Sequence, residues 1–339
     1  MMCTVAEHPR REAFSATGIA SVVAGAVLFA LVLWKVGPGQ VWDGITRVRW
    51  WILVIIALGG LRFLARAIAW SACIEPPHRL SIADAFKGVV AGDTIGNATP
   101  LGPILGEPAK AAYAQNTVPM GVALTALAIE NFVYSLSAAA MIAAGTLALL
   151  FAFDPPENLR LAGEVIVAAV LLLFVVAMFM LWRQPAVLSR LLPLLGGRGT
   201  ARTEKVRALE QQVYTFASRR GWVVAAVIGC ELVFHALGVL EAHLTLTLLS
   251  PTHESPPLLT SFILETANRL FTVVFRFIPF TTGAGEVGTG TVTKLLGMGE
   301  TTGVTVSVIR KIRMVAWALV GAVLIVRRKR SSNRARSVQ

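Results

Sequence analysis

Two short stretches of this chain combine helix-breaking residues with a carboxylate. Pro100-Leu-Gly-Pro-Ile-Leu-Gly106-Glu107 has a counterpart in Pro279-Phe-Thr-Thr-Gly-Ala-Gly285-Glu286, with Gly-Glu at the same distance from the leading proline. Both are set in apolar surroundings, where inserting an ionisable side chain into lipid costs roughly 2.5–3.5 kcal/mol. A helix that starts at membrane depth leaves its first N–H groups unpaired and partly positive. Such an end holds a phosphate or a carboxylate. Lys110 and Lys294 follow within two or three turns and add charge. Glu107 and Glu286 admit two readings: they satisfy the helix start, or they carry a proton in one state and not in another.

More ionisable residues stand in apolar stretches. Asp93 and Asn97 precede the first break, and Glu265, Arg269 and Arg276 the second. Arg62 and Arg66 are four apart, as are Glu231 and His235, so each pair shares a helix face. Glu130 lies beyond the first break and Arg310 beyond the second, with Lys311 and Arg313 close by. For any one residue the plainer account is structural pairing, for example Glu130 or Glu231 with Arg62 or Arg66. For the set, an internal polar path through Arg62, Arg66, Asp93, Glu231, His235 and Glu265 is the better account. Arginine meets phosphate oxygens in two-pronged fashion and lysine as a point charge, so the basic members suit a phosphate head group.

These residues need elements to position them. The chain has 339 residues, 55% hydrophobic and 15% charged, with a mean hydropathy of +0.68. That is too apolar for a water-soluble domain and implies a multi-span, all-helical membrane protein. Six stretches are long enough to cross: 14–34, 50–73, 119–150, 159–182, 221–249 and 301–326. Two more, 80–117 and 258–298, consist of an apolar arm, a Pro/Gly break and a short second arm (about 106–116 and 286–297). They read as re-entrant helical hairpins, since irregular backbone at membrane depth must be enclosed by protein or face a water-filled cavity. A single transmembrane domain over 1–330 is expected, with halves 14–182 and 221–330, a basic linker 183–220 whose part at about 201–219 reads either as a surface helix or as a plain solvated connector, and a basic tail 331–339.

The net charge of +12 is concentrated in 183–220 and 327–339, which places both on the cytoplasmic side, against anionic lipid rather than nucleic acid. The N-terminus is then cytoplasmic too, and the two hairpins enter from opposite faces as an inverted repeat. One loop disagrees: 35–49 carries Lys35, Arg47 and Arg49 against Asp43, yet must lie outside. The three cysteines form no metal or redox spacing, and no H-E-x-x-H, Gly-x-Ser-x-Gly or nucleotide-binding loop occurs. No metal, no cofactor and no catalytic residue are expected. Trp34, Trp42, Trp50, Trp51 and Trp70 flank span ends as interfacial anchors.

Asn97-Ala-Thr-Pro100 followed by Gly106-Glu107-Pro-Ala-Lys110 resembles the signature of the lysylphosphatidylglycerol synthase transmembrane region, a flippase-like integral membrane family. Phe277-Ile-Pro279 through Gly285-Glu286, with Leu295-Leu-Gly297 and Arg310 beyond, resembles its second signature. The resemblance covers roughly 50–330. It implies a lipid-moving role, with Asn97, Pro100, Gly106, Glu107, Lys110, Pro279, Gly285, Glu286 and Arg310 as the matching positions. Pro108-Ala109-Lys110 stands where many members carry Arg, and Glu130-Asn131 where relatives often carry Glu-Arg. The chain ends just after the last span, where a synthase of the family carries a soluble aminoacyl-transfer domain, so it is not expected to make the aminoacylated lipid. The expected function is translocation of a phosphate-bearing or isoprenoid-linked lipid across the inner membrane. The expected partner is an anionic or polyprenyl-phosphate head group, with lipid-biosynthesis enzymes beside it. A membrane-embedded lipid-modifying enzyme and a non-transporting scaffold of a lipid or hopanoid synthesis complex are the alternatives.

Overall fold

The computed structural model describes residues 16–99, 102–183, 204, 211, 215, 216, 220–250, 255–275 and 277–337. The described residues form helices and no strands. In order these are α1 (Ala16–Val36), α2 (Pro38–Val48), α3 (Trp51–Ala72), α4 (Ile82–Ala98), α5 (Gly102–Ala114), α6 (Met120–Ala152), α7 (Glu157–Arg183), α8 (Gly221–Leu249), α9 (Leu258–Val274), α10 (Ala284–Leu295) and α11 (Glu300–Ser337), with a 3-10 turn at Pro279–Thr281. Pro100, Arg276 and most of the linker 183–220, including most of the stretch at about 201–219, lie outside the described residues.

Among the described residues, four helices are long and apolar enough to cross a bilayer: α3, α6, α7 and α8. They match four of the six expected spans. Helix α1 contributes a shorter apolar stretch, Ala26–Val36. Helix α11 is longer than its expected span and runs on through residues 331–337, read from sequence as part of a separate tail. It carries Arg310, Lys311 and Arg313 within its apolar length, and these turn inward rather than toward lipid.

The 35–49 stretch is a helix rather than a loop. Pro38 opens α2, where a missing N–H costs nothing, and Val41, Gly44 and Val48 form the face buried on the bundle. The charge that disagreed with an outside placement is largely engaged. Lys35 pairs with Glu300 at 2.8 Å, and Arg47 donates to the Leu249 carbonyl at 3.4 Å.

Helices α3 and α8 run antiparallel. Ile55, early in α3, packs with Leu246 and Leu249, late in α8. Trp70 and Cys73, at the end of α3, share a cluster with Val223 and Val227, early in α8. Midway, Arg62 meets Glu241, and these residues are 179 apart in sequence, the same offset that separates Pro100 from Pro279. Exchanging α3 with α8, α4 with α9, α5 with α10 and α6 with α11 carries each observed packing among these helices onto another observed packing: α3 on α4 becomes α8 on α9, and α4 on α11 becomes α9 on α6. Both long helices also accept a threonine of the opposite hairpin at a glycine, Thr266 at Gly145 and Thr94 at Gly321, where a Cβ would collide.

The hairpins open at opposite ends of the bundle. Leu80 and Ala85 before and within α4, and Ala114 and Val118 at the end of α5, belong to the core cluster at the Trp70 end. Leu264 of α9, with Val292 and Met298 beside it, belongs to the cluster at the Ile55 end. The tips meet midway, where Asn97 of one and Phe280 and Thr281 of the other line the same cavity.

Candidate functional site

The cavity between the tips has a volume of about 200 Å³. Among the described residues its wall carries seven cations: Arg62 and Arg66 from α3, Lys110 from α5, Arg269 from α9, and Arg310, Lys311 and Arg313 from α11. Asp93 of α4 is the one acid on the wall among the described residues, and it accepts a 2.7 Å bond from Asn97 Nδ2. Small residues let the long cationic side chains in. Gly59 and Gly60 of α3 lie under Arg313 and Trp317, and a Cβ on Gly238 of α8 would meet the Glu265 carboxylate at 2.6 Å.

Carboxylates one layer out hold these cations. Arg66 grips Glu130 with two bonds of 2.7 and 2.8 Å and reaches Asn131 at 3.0 Å. Glu265 gathers three guanidinium groups: Arg310 at 2.7 Å, Arg269 at 3.0 Å and Arg62 at 3.6 Å. Glu241 takes Arg313 at 2.8 Å and Arg62 at 3.3 Å. Lys110 pairs with Glu107 at 2.7 Å, and Lys311 pairs with Glu286. Aromatic rings complete the shell, with Arg62 and Arg269 over Phe234 and Arg66 over Tyr134. Tyr134 Oη also accepts from Arg269 at 3.2 Å.

This arrangement orients the cations without exhausting their donors. Arg269 Nε, Arg310 Nη1 and Arg313 Nε are buried and have no hydrogen-bond partner among the described residues. A buried unsatisfied donor costs about 1–3 kcal/mol, more when charged, and all three belong to residues of the cavity wall. The donor set fits a phosphate oxygen.

Most sequence-predicted site residues converge here. Arg62, Arg66, Asp93, Asn97, Lys110, Arg269 and Arg310 line the cavity, and Glu107, Glu130, Glu265 and Glu286 stand behind them. Of the pairings offered from sequence, Glu130 with Arg66 forms. Glu231 pairs with neither arginine: both its oxygens are unpartnered. His235 meets Ser137 at 3.1 Å, one layer behind the wall. Gly106 and Gly285 are buried at the breaks, and Pro279 opens the 3-10 turn.

Three expectations change. Lys294 is exposed in the last turn of α10 and lies off the cavity wall; Lys311, coming from α11, supplies the cation near that break. Helix α5 starts at Gly102, so Glu107 sits past its first turn and partners Lys110 instead of capping a helix start. Glu286 does cap: its Oε2 accepts from the Gly283 N–H at 2.8 Å. That side chain occupies the helix end which was expected to hold an anion, so the positive field of the cavity comes from side chains. Lys311 and Arg313 were noticed beside Arg310 but not counted as site residues; Trp317, Phe234 and Phe280 were missed. The long-range packing of α11 on α3 and α4 is what distinguishes Lys311, Arg313 and Trp317 from ordinary membrane-helix residues.

A family profile described as lysylphosphatidylglycerol synthase TM region matches residues 18–323. No curated protein and no solved structure matches.

Proposed function

Because this chain belongs to the lysylphosphatidylglycerol synthase transmembrane-region family, we propose that it is a lipid translocase whose central cavity takes the phosphate of a lipid head group while the chains stay in the bilayer. The cation-rich wall with three unpartnered guanidinium donors carries this reading. The protein moves its lipid rather than modifying it; a phosphate-bearing or polyprenyl-linked lipid of the inner membrane is the cargo, and enzymes that make such a lipid are the natural neighbours.

Six helices cross in this proposal: α1, α3, α6, α7, α8 and α11. Two hairpins, α4–α5 and α9–α10, re-enter from opposite faces as an inverted repeat. The antiparallel α3–α8 pair, the exchange of packings between halves and the opposite openings of the hairpins support it. Lysine and arginine in 183–220 and after residue 326 put both termini in the cytoplasm. Arg328, over the Tyr113 ring at 4.4 Å, then marks the cytoplasmic end of the bundle. Glu107 and Glu286 serve transport by holding Lys110 and Lys311 until the head group competes for them.

Native mass spectrometry on the purified protein beside Arg310→Gln tests the reading. Wild type should retain one anionic lipid class, depleted in the variant. The same bulk-membrane lipid profile in both would overturn the head-group site. A covalently altered lipid after incubation with pure protein would make it an enzyme.

A further inference from the structure

One buried acid has no role in the cavity wall. Glu231, in the middle of α8, is fully buried, and neither carboxyl oxygen has a hydrogen-bond partner among the described residues. Every other buried glutamate there meets a cation: Glu130, Glu241, Glu265 and Glu286 all do. Helix capping does not explain it either, because α8 continues a further eighteen residues to Leu249.

The groups around it are few. On α8 itself these are Cys230 and, one turn on, His235, whose Nδ1 is also unpartnered. Arg66 and Cys73 of α3, Glu130 of α6, Arg269 of α9 and Lys110 of α5 are close enough to interact with it electrostatically. Arg66 itself is held by Glu130 through two bonds. Three of these groups (Arg66, Lys110 and Arg269) are also cavity-wall cations. A polar route runs the same way: His235 bonds Ser137 and stacks on Tyr134, and Tyr134 lines the cavity and holds Arg269.

From this placement we infer that Glu231 is a proton-binding site coupled to head-group binding, so that the lipid anion and a proton enter the protein together. The inference rests on the anion cavity proposed above. An ionised carboxylate enclosed without a hydrogen-bond partner is unfavourable. Its ionisation is supported only by the field of Arg66, Lys110 and Arg269. A phosphate on the wall cancels part of that field and favours the protonated form. Reciprocally, the proton removes a negative charge beside the wall and tightens anion binding, since such couplings act equally in both directions. No bond is made beyond O–H at the carboxyl, and the proton comes from water.

The test uses the full chain in detergent with dioctanoyl phosphatidylglycerol, a phosphodiester that stays singly charged between pH 5 and 9. Calorimetry in buffers of different protonation enthalpy counts the protons taken up on binding. Wild type should bind about tenfold tighter at the acid end, a usual size for such a coupling, with net proton uptake. Glu231→Gln should bind at the acid-form affinity throughout, with the Glu231 share of that uptake gone. Binding by wild type that is independent of pH, or a pH dependence unchanged in Glu231→Gln, overturns the coupling while leaving the anion cavity standing. No binding by wild type at any pH overturns the cavity reading and the coupling with it. Should the variant fail to fold, infrared titration of wild type decides: a protonated-carboxyl C=O band must grow when the lipid is added, and its indifference to the lipid refutes the inference.

Discussion

The two breaks share a sequence pattern and use it differently. At the first, α4 gives way to α5 over a few residues, and the glycines serve helix contact. A Cβ on Gly102 would lie 1.8 Å from the Gly96 carbonyl oxygen, and one on Gly92 would meet the Lys110 side chain at 2.3 Å and the Gly106 carbonyl oxygen at 2.8 Å. At the second, the connection from α9 to α10 is longer and its backbone is unusual. Phe280, Thr281 and Gly283 all have positive φ, at 53°, 48° and 84°. Left-handed backbone at two adjacent non-glycine residues is uncommon and costs of order 1–3 kcal/mol each. Both residues line the cavity. The first break is therefore limited by space and the second by torsion. Identical motif letters do not imply identical work: Glu107 answers to Lys110, whereas Glu286 caps α10 and answers to Lys311.

Substitutions can break or sharpen this contrast. The largest effect should come from Glu265→Gln, next to the second hairpin's cavity face, because it leaves three buried guanidinium groups short of their shared carboxylate. A loss of about 3–5 kcal/mol is expected, read as a fall in thermal midpoint in detergent; the first hairpin has no acid of equal weight. Gly102→Ala at the first break should cost about 1–3 kcal/mol or more through overpacking. Gly283→Ala at the second should cost about 1–2 kcal/mol through its left-handed backbone alone. Equal costs in that pair of melts would erase the distinction between space and torsion. Glu107→Gln and Glu286→Gln release Lys110 and Lys311 respectively, so each should bind an anionic lipid probe several-fold tighter, within about 1.4 kcal/mol for a factor of ten, and flip it more slowly in proteoliposomes. Smallest of all, Phe280→Gly should relieve torsion and raise stability by up to about 1 kcal/mol, at some loss of lipid affinity.

The helical hairpins were legible in sequence because proline and glycine interrupt apolar stretches at matching places. The expected ranges 80–117 and 258–298 contain α4–α5 and α9–α10. Four of the six expected spans, those that became α3, α6, α7 and α8, were legible from length and hydropathy alone. Helix α2 was not, although Pro38 and the spacing of Val41, Ile45 and Val48 signal a short amphipathic helix; its charges were counted as a loop's. The site was legible in type, since buried arginines and glutamates must find partners, but not in arrangement. Which acid meets which base depends on pairs such as Arg62 with Glu241 and Arg310 with Glu265, brought together by helix packing that no spacing rule reports. The capping role of Glu286 needed the Gly283 backbone to be seen.

The meeting of Arg62 with Glu241 at the crossing of α3 and α8 bears on how the two halves recognise each other. By the offset that relates the two motifs, Glu241 is the counterpart of Arg62, so the crossing sets a residue against its own equivalent with the sign reversed. Two copies of the first half, packed as α3 packs on α8, would press arginine onto arginine in a buried setting; two copies of the second would press glutamate onto glutamate. Either self-pairing is penalised and the mixed pair is rewarded. With this one pair of opposite signs, each half is matched better to the other than to a copy of itself.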